Sequence, residues 1–213
     1  MKLWIFGDSY AQDHADATQW QHLLADHYQC DIEFDAAAGR SNERILWGLQ
    51  QAEDRIQAQD AAVVVTTDCF RRWFWQDYPQ YANYYNLKEI DMPNTAANWH
   101  ALEQYTRYLV NPTADIINYE CHLAWLNSRD YRTVIVPGFR NLPTEQALTE
   151  CVSEQEFLDH QHRTMWYRRG VDTRLNHISS YNHVILADKI RQVLDGEGEL
   201  DLTTDFQQKF LAA

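Results

Sequence analysis

Leu3-Trp4-Ile5-Phe6-Gly7-Asp8-Ser9-Tyr10 opens the chain with four apolar residues that stop at a Gly-Asp-Ser turn. The run is short and shows no polar alternation, which suits a strand covered on both faces in a parallel sheet. Two further runs have the same character: Ala61-Ala62-Val63-Val64-Val65, and Thr133-Val134-Ile135-Val136, which stops at Pro137-Gly138. Asp31 to Phe34 is a weaker strand candidate. Helical patterns lie between them. Trp20, Leu23, Leu24 and His27 share one helix face, and Ile45, Leu46, Leu49, Ala52 and Ile56 repeat that spacing after a Ser41 cap. Leu186, Ile190, Val193 and Leu194 make a third stripe, with Ser179 or Ser180 placed to cap it. Strands alternating with helices predict a three-layer α/β/α domain around a parallel sheet.

A chain of 213 residues is long enough to bury a core and is read as one domain, 1–213. Its net charge of −13 repels a phosphate backbone, so neither nucleic acid nor an anionic membrane is an expected partner. No apolar run approaches the roughly 20 residues of a membrane span, and the first residues enter a strand without a leader-like apolar region, so a cytoplasmic protein is expected. Cys30, Cys69, Cys121 and Cys151 form no C-x-x-C pair, which removes zinc-ribbon and thioredoxin readings and predicts reduced thiols. His160 and His162 are two apart and point away from each other in a helix. No metal and no cofactor is expected.

Aromatic residues are the unusual feature of the composition: 8 Trp, 12 Tyr and 8 Phe against 7 Gly. The stretch 70–110 concentrates them, with Phe70, Trp73, Phe74, Trp75, Tyr78, Tyr81, Tyr84, Tyr85, Trp99, Tyr105 and Tyr108 among polar residues. It reads as an insertion or cap between the third strand and the next helix. Such rings stack on a sugar or enclose an acyl chain, or they fill a satellite core or a homo-oligomer interface.

Ser9 stands at the C-terminal end of the first predicted strand, the edge where α/β folds place ligands, with its backbone N–H directed into the same space. A plain turn or helix-cap role is the other reading. Near the far end of the chain, Asp172-Thr-Arg-Leu-Asn-His177-Ile-Ser-Ser-Tyr-Asn-His183 leads into the last helical stripe. A histidine on that loop can fold back to the first strand's serine and accept its proton.

These two sites, in this order and at the two ends of one α/β domain, resemble the SGNH or GDSL hydrolase family. The resemblance spans nearly the whole chain apart from the aromatic stretch, and implies a flavodoxin-like sheet of about five strands. Gly7-Asp8-Ser9 matches the first block of the family, which implies Ser9 as nucleophile and its N–H as an oxyanion donor. Ala38-Gly39-Arg40-Ser41-Asn42 looks like the second block, with Gly39 as a second backbone donor. His177 looks like the general base. Two positions depart from the family's pattern: Thr67, whose hydroxyl can donate one hydrogen bond, is the third oxyanion candidate where an asparagine is usual, and Arg174 stands where the acidic residue is usual. Asp172 is the nearest carboxylate, with Asn176 or a backbone carbonyl as the other means of orienting His177. The resemblance implies a serine esterase or O-deacetylase acting on an ester of a small alcohol, sugar or lipid through an acyl-Ser9 intermediate. Asp8, Arg71, Trp73 and Trp75 are the substrate-binding candidates; Arg71 and its neighbour Arg72 are expected to meet a substrate anion, solvent or Asp68. The two departures support a second reading, a protein that keeps the scaffold without catalysis and holds a glycan or a partner.

Overall fold

The computed structural model describes residues 1–13, 18–73, 81–82, 100, 104–105, 107–150, 178 and 180–206. A four-stranded parallel sheet organises them, in the order β2-β1-β3-β6. β1 is Leu3–Gly7, β2 is Ile32–Ala36, β3 is Ala61–Thr66 and β6 is Arg132–Pro137. Ile5 lies between Phe34 and Val63, and Val63 pairs onward to Val134. β4 (Arg72–Trp73) and β5 (Tyr81–Ala82) form a separate two-stranded antiparallel sheet at the start of the aromatic stretch. Four α-helices are described: α1 (Trp20–Tyr28), α2 (Asn42–Ala52), α3 (Pro112–Asn127) and α4 (Ser180–Leu194).

The unbroken apolar runs of β1 and β3 are explained by what lies on each side of them. Successive strand side chains point to opposite faces. Leu3, Ile5, Val63, Val65, Val134 and Val136 join one buried cluster with Trp20 and Leu24 of α1 and Leu186, Ile190 and Leu194 of α4. Trp4, Phe6, Ala62 and Val64 join another with Ile45, Leu46 and Leu49 of α2 and Leu126 of α3. Burying one such aliphatic or aromatic side chain contributes about 1.5–3 kcal/mol, so both clusters hold the sheet.

Two glycines allow the strand exits to approach each other. A Cβ on Gly7 would lie 2.7 Å from the Ala11 Cβ and 2.9 Å from the Val65 Cβ. One on Gly138 would lie 2.6 Å from the Thr66 carbonyl oxygen, to which the Gly138 N–H donates at 2.8 Å. Helix starts follow local chemistry as well. Ser41 caps α2 by accepting the Arg44 N–H, and Asn111, followed by Pro112, caps α3 by accepting the Ala114 N–H.

Candidate functional site

From β1 the chain moves to one side to make β2, then returns to the other side to make β3. A crevice opens at such a reversal, beyond the C-terminal ends of the two central strands, and doubly wound sheets bind ligands there. Ser9 follows β1 at this point and is half-buried. Asp8, the residue before it, is completely buried.

Three donors surround the Asp8 carboxylate. Its Oδ1 accepts the Tyr10 N–H at 3.0 Å. Its Oδ2 accepts the Thr67 hydroxyl at 2.9 Å and Arg71 Nη1 at 3.0 Å. A carboxylate taken out of water costs several kcal/mol unless it is paired and hydrogen-bonded, and this one is both. The Ala11 N–H closes the turn onto the Asp8 carbonyl at 3.1 Å. Arg71 also lies 4.7 Å from the centre of the Phe139 ring, which meets Tyr10 edge-on at 6.0 Å. The Arg71–Asp8 ion pair, 3.0 Å, was not among the partners expected for Arg71.

The exit of β3 is held by side-chain amides. Asn42 and the Thr67 backbone exchange two hydrogen bonds, each 2.9 Å. Asn141 donates to the Thr67 carbonyl at 2.9 Å and accepts the Cys69 N–H at 2.9 Å. Glu145 in turn accepts the Asn141 and Leu142 N–H groups and the Tyr119 hydroxyl, which also meets Thr66 Oγ1 at 3.0 Å. Burial, followed by the bond to Glu145, pushes the Tyr119 phenol well above its usual range. Burial pushes the Cys69 thiol up to about 11. Thr67 is fully buried, and its single hydroxyl proton is the one donated to Asp8.

The exit of β2 lies against the same turn. The Ala37 N–H donates to the Gly7 carbonyl at 3.2 Å and the Ala38 N–H to Gln12 Oε1 at 3.1 Å. Gly39 follows, buried and at φ +76°, the left-handed region in which glycine carries no steric penalty. Ser9, Gly39, Thr67, Asp8 and Arg71 therefore come from three strand exits to one edge of the sheet. His177, Asp172 and Trp75 lie outside the described residues, as do Arg174 and Asn176. Trp73 pairs in β4 with Tyr81; its side chain lies outside the description. Ile178, directly after His177, is buried in the cluster that contains Tyr10 and Ala11.

Successive residues on an extended segment point in opposite directions, and the two arginines after β3 do so. Arg71 reaches Asp8, whereas Arg72 reaches Glu43 of α2 at 2.7 Å and Asp115 of α3. Asp115 is buried. His122 stands near this group, its Nδ1 buried without a hydrogen-bond partner. Burial holds His122 below the ordinary histidine range; Glu43 works against that shift and Arg72 adds to it.

Several of these residues carry no mark in the sequence. Asn42 belongs to the second block by position only, and no spacing singles out Asn141 or Glu145. His183, in the first turn of α4, is buried, and its Nδ1 accepts the Trp20 N–H at 3.4 Å, which requires that nitrogen to be unprotonated. Its place beside His177 in the sequence was the available signal. A separate cavity of about 370 Å³ lies along β6, lined by Leu123, Thr133, Ile135, Glu145 and Leu200 among others, and does not include Ser9. Its size does not make it the site, because the convergent polar groups are at the exits of β1 and β3. Among the described residues, no helix is long and apolar enough to cross a membrane. No group of three or more His, Cys, Asp or Glu among them could hold a metal ion. Set against known protein families, curated proteins and solved structures, the chain matches none of them.

Proposed function

We propose that this chain is a serine hydrolase of the SGNH type, an esterase or O-deacetylase on a three-layer, five-stranded scaffold, acting in the cytoplasm on a small-molecule or carbohydrate ester. The observation that carries this is the position of Ser9: half-buried at the reversal of strand order, beside a second turn in which buried Gly39 adopts a left-handed conformation. In the reaction His177, oriented by Asp172, takes the Ser9 proton as the hydroxyl oxygen attacks the ester carbonyl. The N–H groups of Ser9 and Gly39 receive the oxyanion, while Thr67, at the position of the family's third donor, gives its hydroxyl proton to Asp8. The alcohol leaves with the proton held by His177, and water then releases the acid from acyl-Ser9.

The test is Ser9-dependent chemistry. Purified protein is expected to hydrolyse short-chain aryl esters and to be labelled by a fluorophosphonate, with both lost in Ser9→Ala and strongly reduced in His177→Ala. Absence of both in the unaltered protein overturns the esterase reading.

One observation favours the second reading, a scaffold without efficient catalysis that binds a glycan or a partner. The Thr67 hydroxyl proton is directed to Asp8, whereas an oxyanion requires it to turn away. On that reading the protein resists the fluorophosphonate, and glycan binding is lost when Trp73 and Trp75 are replaced by alanine.

A further inference from the structure

We infer that Arg71 is a positioning residue for Ser9, acting through the buried Asp8 carboxylate with Thr67 as its second donor. This rests on the hydrolase reading for its chemical consequence, although the contacts themselves do not. Asp8 is the covalent neighbour of Ser9 and is completely buried. Its two oxygens divide the work: Oδ1 holds the Tyr10 N–H, on the far side of Ser9, and Oδ2 takes Thr67 and Arg71. The serine is thus bracketed by one side chain that grips the turn and is itself gripped from β3.

Charge strengthens the case. Asp8 places a negative group next to the atom where an alkoxide and then an oxyanion would develop, and unpaired it would oppose both. Arg71 supplies the compensating charge at 3.0 Å with its side chain 14% exposed, where solvent screens little. Phe139, packed on the guanidinium at 4.7 Å, restricts it to that direction. Thr67 then acts by fixing Asp8 rather than by meeting the substrate. Arg71, adjacent to β4, also links the start of the aromatic stretch to the serine turn.

The experiment compares Arg71→Gln, Arg71→Lys, Thr67→Val and Thr67→Ser with the unaltered protein by two readouts: hydrogen–deuterium exchange over residues 8–12, and the rate of Ser9 labelling by a fluorophosphonate. Loss of a hydrogen bond to a charged group predicts about 10- to 100-fold faster exchange of the Tyr10 amide and a comparable slowing of labelling in Arg71→Gln and Thr67→Val. Arg71→Lys and Thr67→Ser, which keep the charge and the hydroxyl, are expected to return to within about 3-fold. Exchange and labelling unchanged in Arg71→Gln overturn the inference, as does equal loss in Arg71→Lys and Arg71→Gln accompanied by equal loss of melting temperature. If no variant and not the unaltered protein is labelled, yet exchange follows the predicted order, the hydrolase reading fails while the positioning of the turn stands.

Discussion

The interior of the sheet and its C-terminal edge are stabilised by opposite means. Leu3 to Phe6 and Ala61 to Val65 are buried in two apolar clusters that Trp20, Leu49 and Leu186 cover, and Trp4, near the start of β1, also meets Asp60, Lys2 and Arg55. Just beyond the same strands, Asp8 and Thr67, with Asn42 at the start of α2, are also buried yet polar, and hydrogen bonds join them. Interior residues contribute by area and shape, so a substitution is tolerated if volume is kept. Edge residues contribute by pairing, so removing one partner leaves the other desolvated. Burial alone does not distinguish the two regions, and the density of polar pairing does.

The comparison breaks first, if it is wrong, at the largest side chain of the interior. Trp20→Ala removes a fully buried ring and its bond to the Tyr10 carbonyl, and is expected to lower stability by about 3–5 kcal/mol, read from urea unfolding midpoints. The counterpart among the paired charges is Arg72→Ala, which leaves buried Asp115 without its cation. About 3 kcal/mol is expected, with Arg72→Lys recovering part of it and Arg72→Met, similar in length but uncharged, recovering little. Equal recovery by Lys and Met would mean that the arginine acts by volume, as an interior residue does.

A smaller effect sharpens the same distinction through pH. Burial lowers the pKa of His122 in the folded chain, so between neutrality and that lowered value the unfolded chain binds the proton and the folded chain does not. Stability from this residue is therefore complete above about pH 6.5 and declines as pH falls through the folded value. His122→Gln is expected to lessen the loss of stability between about pH 7 and 5; an unchanged slope in unfolding curves at several pH values would remove His122 from the account. The smallest effect concerns thiols. Cys69, buried at the β3 exit and with its pKa raised to about 11, is expected to resist alkylation at about pH 8 while exposed Cys121 reacts, as mass mapping of iodoacetamide adducts would record.

Much of the fold was legible because burial on both faces leaves a visible trace. β1, β3 and β6 fall on the three apolar runs, β2 on the weaker candidate, and α1, α2 and α4 on the three stripes. Helix α3 was expected only as an unplaced helix after the aromatic stretch, and the structure shows Asn111 capping it ahead of a first-turn proline. The site was legible in part. Gly7-Asp8-Ser9 marks a strand exit by residue type, and Gly39 was expected from the family resemblance; close packing requires the first glycine and a left-handed backbone favours the second. Arg71 was noticed, but its partner was not foreseen. Asp8 lies 63 positions away, and a pairing across two strands has no spacing rule.

Local chemistry therefore determined the strands, the helices and the turn that presents Ser9, because periodicity and backbone preference act within a few residues. Tertiary structure alone decided which polar groups meet. Strand order brought the exits of β1, β2 and β3 together and turned the Thr67 hydroxyl and Arg71 onto Asp8. The physical reason is that a desolvated carboxylate takes whatever donors the folded chain carries to it, and those donors are chosen by topology rather than by sequence distance.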